Sequence, residues 1–96
     1  MKLYIDTHER EKIIIGFNEK NFEMAAKKDG SQKLLPFIEE ILEKENKSFK
    51  DLTEIGVHTG PGSFTGIRVG VAVANSLGYG LNIPVNGKKL EDEINY

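Results

Sequence analysis

Small residues recur at every fourth position from Gly62 onward: Gly62, Gly66, Gly70, Ala74 and Gly78. Four residues is close to one helical turn, so a helix through this segment has one edge almost bare of side chains. A glycine inside a helix costs about 1 kcal/mol relative to alanine, so Gly66 and Gly70 together cost about 2 kcal/mol. Close approach of a second backbone offsets that cost. The approaching element is either the chain's own sheet or a partner, and spacing alone leaves both readings open.

The turn feeding this helix is Gly60-Pro61-Gly62-Ser63. Glycine reaches positive φ without strain and proline fixes its own φ, so the pair sets a sharp strand-to-helix connection. Ser63 is the predicted N-cap. The helix is predicted from Phe64 to Tyr79, with Gly78 and Gly80 helping to end it. Amides at such a helix start attract anions. Both nucleotide motifs are incomplete, however. A Walker A loop needs Gly-Lys followed by Ser or Thr, whereas Ile67-Arg68 follows Gly66; the dinucleotide fingerprint needs a third glycine where Thr65 stands.

Upstream, Lys2 to Asp6 reads as a short strand ending in a carboxylate, and Lys12 to Phe17 as a β-branched strand. Asn18 to Asn21 has turn composition, and Phe22 to Ala26 returns as a third strand. Lys27 to Gly30 breaks the pattern. Ser31 is a predicted N-cap for a helix whose apolar stripe is Leu34, Leu35, Ile38, Ile41 and Leu42, with a bend or late start at Pro36. Glu43 to Lys50 is a polar exit. Ile55-Gly56-Val57 reads as a fourth strand, Ile83-Pro84-Val85 as a short fifth, and Gly87 to Tyr96 as a polar tail with a ragged helical turn. Helices between the later strands imply parallel pairing through crossovers. The expected fold is α/β: a mixed five-stranded sheet with two main helices.

A chain of 96 residues supports one small domain, and 39% apolar with 29% charged residues is ordinary for a globular protein. Thirteen basic against 15 acidic residues give a net charge of −2, which argues against a face that neutralises many phosphates by itself. The absence of cysteine excludes thiolate chemistry and disulfides. Met1 to Ile5 meets Asp6 too early to form a signal-peptide core. The stretch Ile67 to Leu77 is interrupted by Arg68 and Asn75 and is too short for a bilayer. A soluble cytoplasmic protein without membrane contact is expected.

Few residues suit catalysis. Asp6 with Thr7 either binds a phosphate or simply ends a strand and caps a turn. His8 and His58, the two histidines, stand in neither His-x-x-x-His nor His-Glu-x-x-His, so no metal site is expected. His58 is read as a strand end and His8 as a solvated loop residue. Ser63 and Thr65 have no histidine base placed beside them by sequence. Arg68 pairs with an acidic group of a partner, with Asp6, or in a surface salt bridge worth little.

The block Gly60-Pro61-Gly62-Ser63-Phe64-Thr65-Gly66-Ile67-Arg68-Val69-Gly70 resembles the signature of the TsaB (YeaZ) family. Tyr4-Ile5-Asp6-Thr7 is similar to that family's first strand and Asp-Thr turn, and Ser31-Gln32-Lys33-Leu34-Leu35-Pro36 to the start of its first helix. The resemblance implies an actin-like (ribonuclease H-like) domain with strand order 3-2-1-4-5. It implies an accessory subunit, without chemistry of its own, of the machinery that transfers a threonylcarbamoyl group to adenosine in tRNA. Its implied partners are a TsaD-like catalytic subunit, a TsaE-like ATPase or a second copy, with tRNA met only indirectly. In such families the two helices form the pairing surface, which maps here to Leu34, Leu35, Ile38, Ile41, Gly66, Gly70 and Ala74.

Family members usually carry a second domain, and the actin-like nucleotide cleft lies between the two. Residues 1–96 are therefore expected to act as a single domain that binds no cofactor alone, with ATP or ADP and magnesium belonging to the assembled complex; the chain is either a naturally minimal version, the expectation favoured here, or a fragment. Two other readings stand beside this one. One is a small nucleotide-binding enzyme or half-kinase that completes its cleft by homodimerisation; the other is a homodimer with no TsaD contact.

Overall fold

Alternating burial in the first two strands sorts their side chains onto two faces of a sheet. Leu3 and Ile5 point to one face together with Ile13, Ile15 and Phe17, while Tyr4, Ile14 and Gly16 point to the other. The computed structural model describes residues 1–9, 11–25, 30–61 and 64–87, with the backbone alone at 30, 31, 64 and 65. Its elements are β1 (Lys2–Asp6), β2 (Lys12–Phe17), β3 (Lys20–Ala25), α1 (Gly30–Lys44), a 3-10 turn (Phe49–Asp51), β4 (Glu54–Val57) and α2 (Phe64–Leu81).

The sheet order is β3-β2-β1-β4. β2 lies antiparallel to both β1 and β3, and β1 lies parallel to β4 with Ile5 opposite Val57. The β2–β3 hairpin closes over Asn18 and Glu19, both at positive φ, so β3 begins at Lys20 rather than Phe22. Parallel pairing of β1 with β4 requires the crossover that α1 supplies. Leu34, Ile38, Ile41 and Leu42 of α1 and Ala74 of α2 join Leu3, Ile5, Ile15, Phe17, Ile55 and Val85 in one core.

Among the described residues the sheet has four strands, not the five expected. Val85 forms a single parallel bridge to Ile55, with the Ile55 amide donating to Pro84 O and the Asn86 amide to Ile55 O. At Asn86 the backbone turns to φ 50°, and the side chain takes over the next rung. Val57 N donates to Asn86 Oδ1 at 2.9 Å, and Asn86 Nδ2 donates to Val57 O at 3.1 Å. An amide side chain presents the same donor and acceptor as a peptide, so the ladder ends paired although the strand has left.

Both helices end alike, and neither ends on glycine. Asn46 after α1 and Asn82 after α2 adopt φ near +58° and +57°. Lys47 N bonds Leu42 O and Asn46 N bonds Glu43 O; Ile83 N bonds Gly78 O and Asn82 N bonds Tyr79 O. These are paired Schellman closures, with asparagine in the left-handed position that glycine usually takes. α2 therefore runs past Gly78 and Gly80 to Leu81, and α1 runs through Pro36 without ending. The predicted Ser63 cap, Gly62, the break at 27–29 and the tail at 88–96 lie outside the described residues.

Candidate site at the carboxyl ends of β1 and β4

Parallel strands bring their carboxyl ends to one edge, and here that edge carries Asp6, Thr7 and His8 after β1 and His58 after β4. His58 N donates to Ile5 O at 2.9 Å, continuing the β1–β4 ladder by one rung. Asp6 Oδ1 accepts from the His8 amide at 3.0 Å and also contacts His8 Nδ1. The His8 and His58 rings lie 4.6 Å apart, centre to centre, with planes tilted by 42°. His58 Nε2 bonds Pro61 O at 2.8 Å, and a carbonyl can only accept, so Nε2 carries the proton in this contact. Burial pushes the Asp6 carboxyl upward. The two His8 hydrogen bonds and the electrostatic influence of both imidazoles outweigh it and hold the carboxyl below its usual range.

Thr7 has a different task. Its hydroxyl donates to Gly66 O and accepts from Gly70 N at 3.1 Å, so it sits between the two ends of one helical rung. A Cβ on Gly70 would stand 2.5 Å from Thr7 Oγ1, closer than any real contact, and this explains one glycine of the bare edge. At Gly70 the approaching element is therefore β1's own exit. At Gly60, φ is +146°, a conformation that glycine adopts without strain.

These positions revise the expected roles. Leu34, Ile38, Ile41 and Ala74 are core residues of this chain, and Gly70 is buried against Thr7, so they offer no free surface to a partner. Gly66 is half-buried at the same contact. Of the expected interface residues, Leu35 reaches the surface, at 43% exposure. The Thr7 hydroxyl is engaged with α2 rather than presented to a phosphate, and Asp6 faces His8. Pro61 supplies the carbonyl that holds His58; Arg68 is exposed in the first turns of α2; Phe64 and Thr65 begin that helix. His8 is no solvated loop residue but part of the Asp6–His8–His58 cluster. Sequence spacing missed this cluster because the histidines lie fifty positions apart; the signal available was that each follows one of two strands that pair in parallel.

The family model described as "TsaD: tRNA N6-adenosine threonylcarbamoyltransferase" matches residues 23–87, more than half of the chain. The chain belongs to the TsaB/TsaD family. Curated TsaB proteins and a YeaZ structure match the chain. The "tRNA threonylcarbamoyladenosine biosynthesis protein TsaB" of Buchnera aphidicola from Schizaphis graminum is 36% identical over 78 residues, covering 81% of this chain and 35% of that protein. The Escherichia coli K12 protein of the same name is 34% identical over 67 residues, covering 70% of this chain and 29% of its own. The chain thus spans about a third of the length of these relatives. "YeaZ from Pseudomonas aeruginosa" superposes with a TM-score of 0.74 over 88% of this chain and 41% of its own, at 24% identity, which shows the same α/β fold. Among the described residues no helix is long and apolar enough to cross a membrane.

Proposed function

We propose that this chain is a non-catalytic, partner-binding component of tRNA threonylcarbamoyladenosine biosynthesis in the cytoplasm, pairing with a TsaD-like catalytic subunit through the outer faces of α1 and α2. Membership of the family supports the process, and the surface of α2 supports the mode. An ordinary surface helix turns a polar face to water. On α2, Ala74 is buried, Ile67 and Val71 are partly buried, Val71 against the core, while Ala72 is exposed and Tyr79 is 69% exposed. Leu35 adds an exposed apolar residue on α1.

A second copy of the chain, or a TsaE-like ATPase beside the TsaD-like subunit, uses the same type of surface, and ATP or ADP with magnesium belongs to that assembly. The test is co-purification with a TsaD-like protein, using Leu35→Glu and Tyr79→Glu together. Both positions are exposed, so the expected outcome is loss of pairing with an unchanged melting temperature. Undiminished pairing refutes the proposed surface. Gly70→Glu is unsuitable for this purpose, because it drives a side chain into Thr7 and reports folding instead.

A further inference from the structure

We propose that Asp6, His8 and His58 form a binding site for a divalent first-row transition ion of the zinc class. Among the described residues these three offer ligand atoms that all lie within 4.8 Å of one another. Two imidazoles and one carboxylate are a donor set suited to zinc, cobalt, nickel or iron, and poorly suited to magnesium, which favours all-oxygen ligation. Tetrahedral ligands at bond lengths of about 2.1 Å stand about 3.4 Å apart, so the widest pair must close by at most about 1.4 Å while Asp6 Oδ1 and His8 Nδ1, in direct contact, must open to admit the ion. The groups flank one another at the ends of two adjacent strands, where small adjustments of His8 and His58 side chains supply that movement.

A second feature points the same way. The bond from His58 Nε2 to Pro61 O fixes the ring's tautomer and leaves Nδ1 with its lone pair. Metal-bound histidines are commonly oriented in this manner, one nitrogen held by a backbone carbonyl and the other on the ion. The contact between Asp6 Oδ1 and His8 Nδ1 places a proton where an ion would sit between carboxylate and imidazole, so ligation through Nδ1 requires the neutral ring to carry its proton on Nε2 instead. The position also suits a ligand: in α/β sheets, binding occurs outside the carboxyl ends of the strands. The site does not depend on the proposed TsaD pairing, since its residues stand at the ends of β1 and β4 whereas Leu35 and Tyr79 lie on α1 and α2.

The test uses the untagged, full chain. Because it holds two histidines, two imidazole proton signals report the site directly in the unmutated protein. Zinc titration should shift both signals, saturating at one ion per chain, and cobalt should broaden both, while magnesium moves neither. His8→Ala and His58→Ala should each weaken zinc binding by more than about 100-fold, since even second-shell changes cost about 10- to 100-fold. Silence of either signal, an equal response to magnesium, or unchanged affinity in either variant overturns the site. Should a variant fail to fold, the two signals of the unmutated chain decide alone.

Discussion

Replacing Gly70 by alanine isolates the contact that fixes α2 to the sheet. In an exposed helix this change stabilises by about 1 kcal/mol, because glycine carries the larger entropy cost. Here the new Cβ falls 2.5 Å from Thr7 Oγ1 and 3.4 Å from Ile5 Cγ2. Thr7 is 5% exposed and β-branched, and its hydroxyl is held by two hydrogen bonds, so it has no rotamer to retreat into. Overpacking of this kind costs about 1–3 kcal/mol, and a buried donor left without its partner costs about 1–3 kcal/mol more. Set against the alanine gain, the net loss is about 3 kcal/mol, which lowers the melting temperature of a domain this size by about 12–24 °C. Urea denaturation followed by circular dichroism measures it. Gly80→Ala is the control: nothing lies within 4 Å of a Cβ there, so that variant should gain about 0.5–1 kcal/mol. Combining Gly70→Ala with Thr7→Ala removes the clashing oxygen, so the double variant should be more stable than the sum of the single losses predicts. A Gly70→Ala protein as stable as Gly80→Ala refutes the close approach.

Asn86→Ala deletes both side-chain bonds to Val57, and should cost about 1–3 kcal/mol and accelerate hydrogen exchange at the Val57 amide. Ile38→Ala, at a fully buried position, should cost about 2–5 kcal/mol, whereas Leu35→Ala, a neighbour on the same helix, should leave the melting temperature nearly unchanged; equal losses would mean that the inward face of α1 is misassigned. Glu45 accepts from Asn18 and then from Lys20, and these contacts hold its carboxyl below the usual range. The folded state therefore favours the charged form, and this contribution is present at neutral pH and lost as pH falls through the lowered value. Denaturation across the acid range should show a shallower decline for Glu45→Gln than for the unmutated chain.

Local chemistry made much of this fold readable. Ile13-Ile14-Ile15 announced a strand through β-branching, and the stripe Leu34, Ile38, Ile41, Leu42 announced a helix with one buried face. Spacing also showed that something must approach the glycine edge of α2. It had no means of showing that the visitor is a threonine hydroxyl sixty-three residues upstream of Gly70. The same limit hid the Asp6–His8–His58 cluster, which exists because Ile5 registers against Val57, a long-range fact absent from any local window. Helix ends were misplaced for a different reason. Glycine is the usual left-handed residue, so Gly78 and Gly80 looked like stops, yet Asn82 took that conformation instead. The fifth strand shrank to one bridge because Asn86 turns the backbone away after a single rung, and side-chain mimicry of a peptide leaves no trace in hydropathy.

The Asn86 amide has a consequence for self-association. With Val85 contributing one residue of bridge beside β4, that margin offers an incoming chain too little backbone to build a ladder upon. β3, six residues long and bearing Lys20 and Glu23, is the opposite margin among the described residues, and charged side chains of that sort discourage edge-to-edge growth. Sheet-to-sheet zipping between copies of this domain is thereby disfavoured at these two margins.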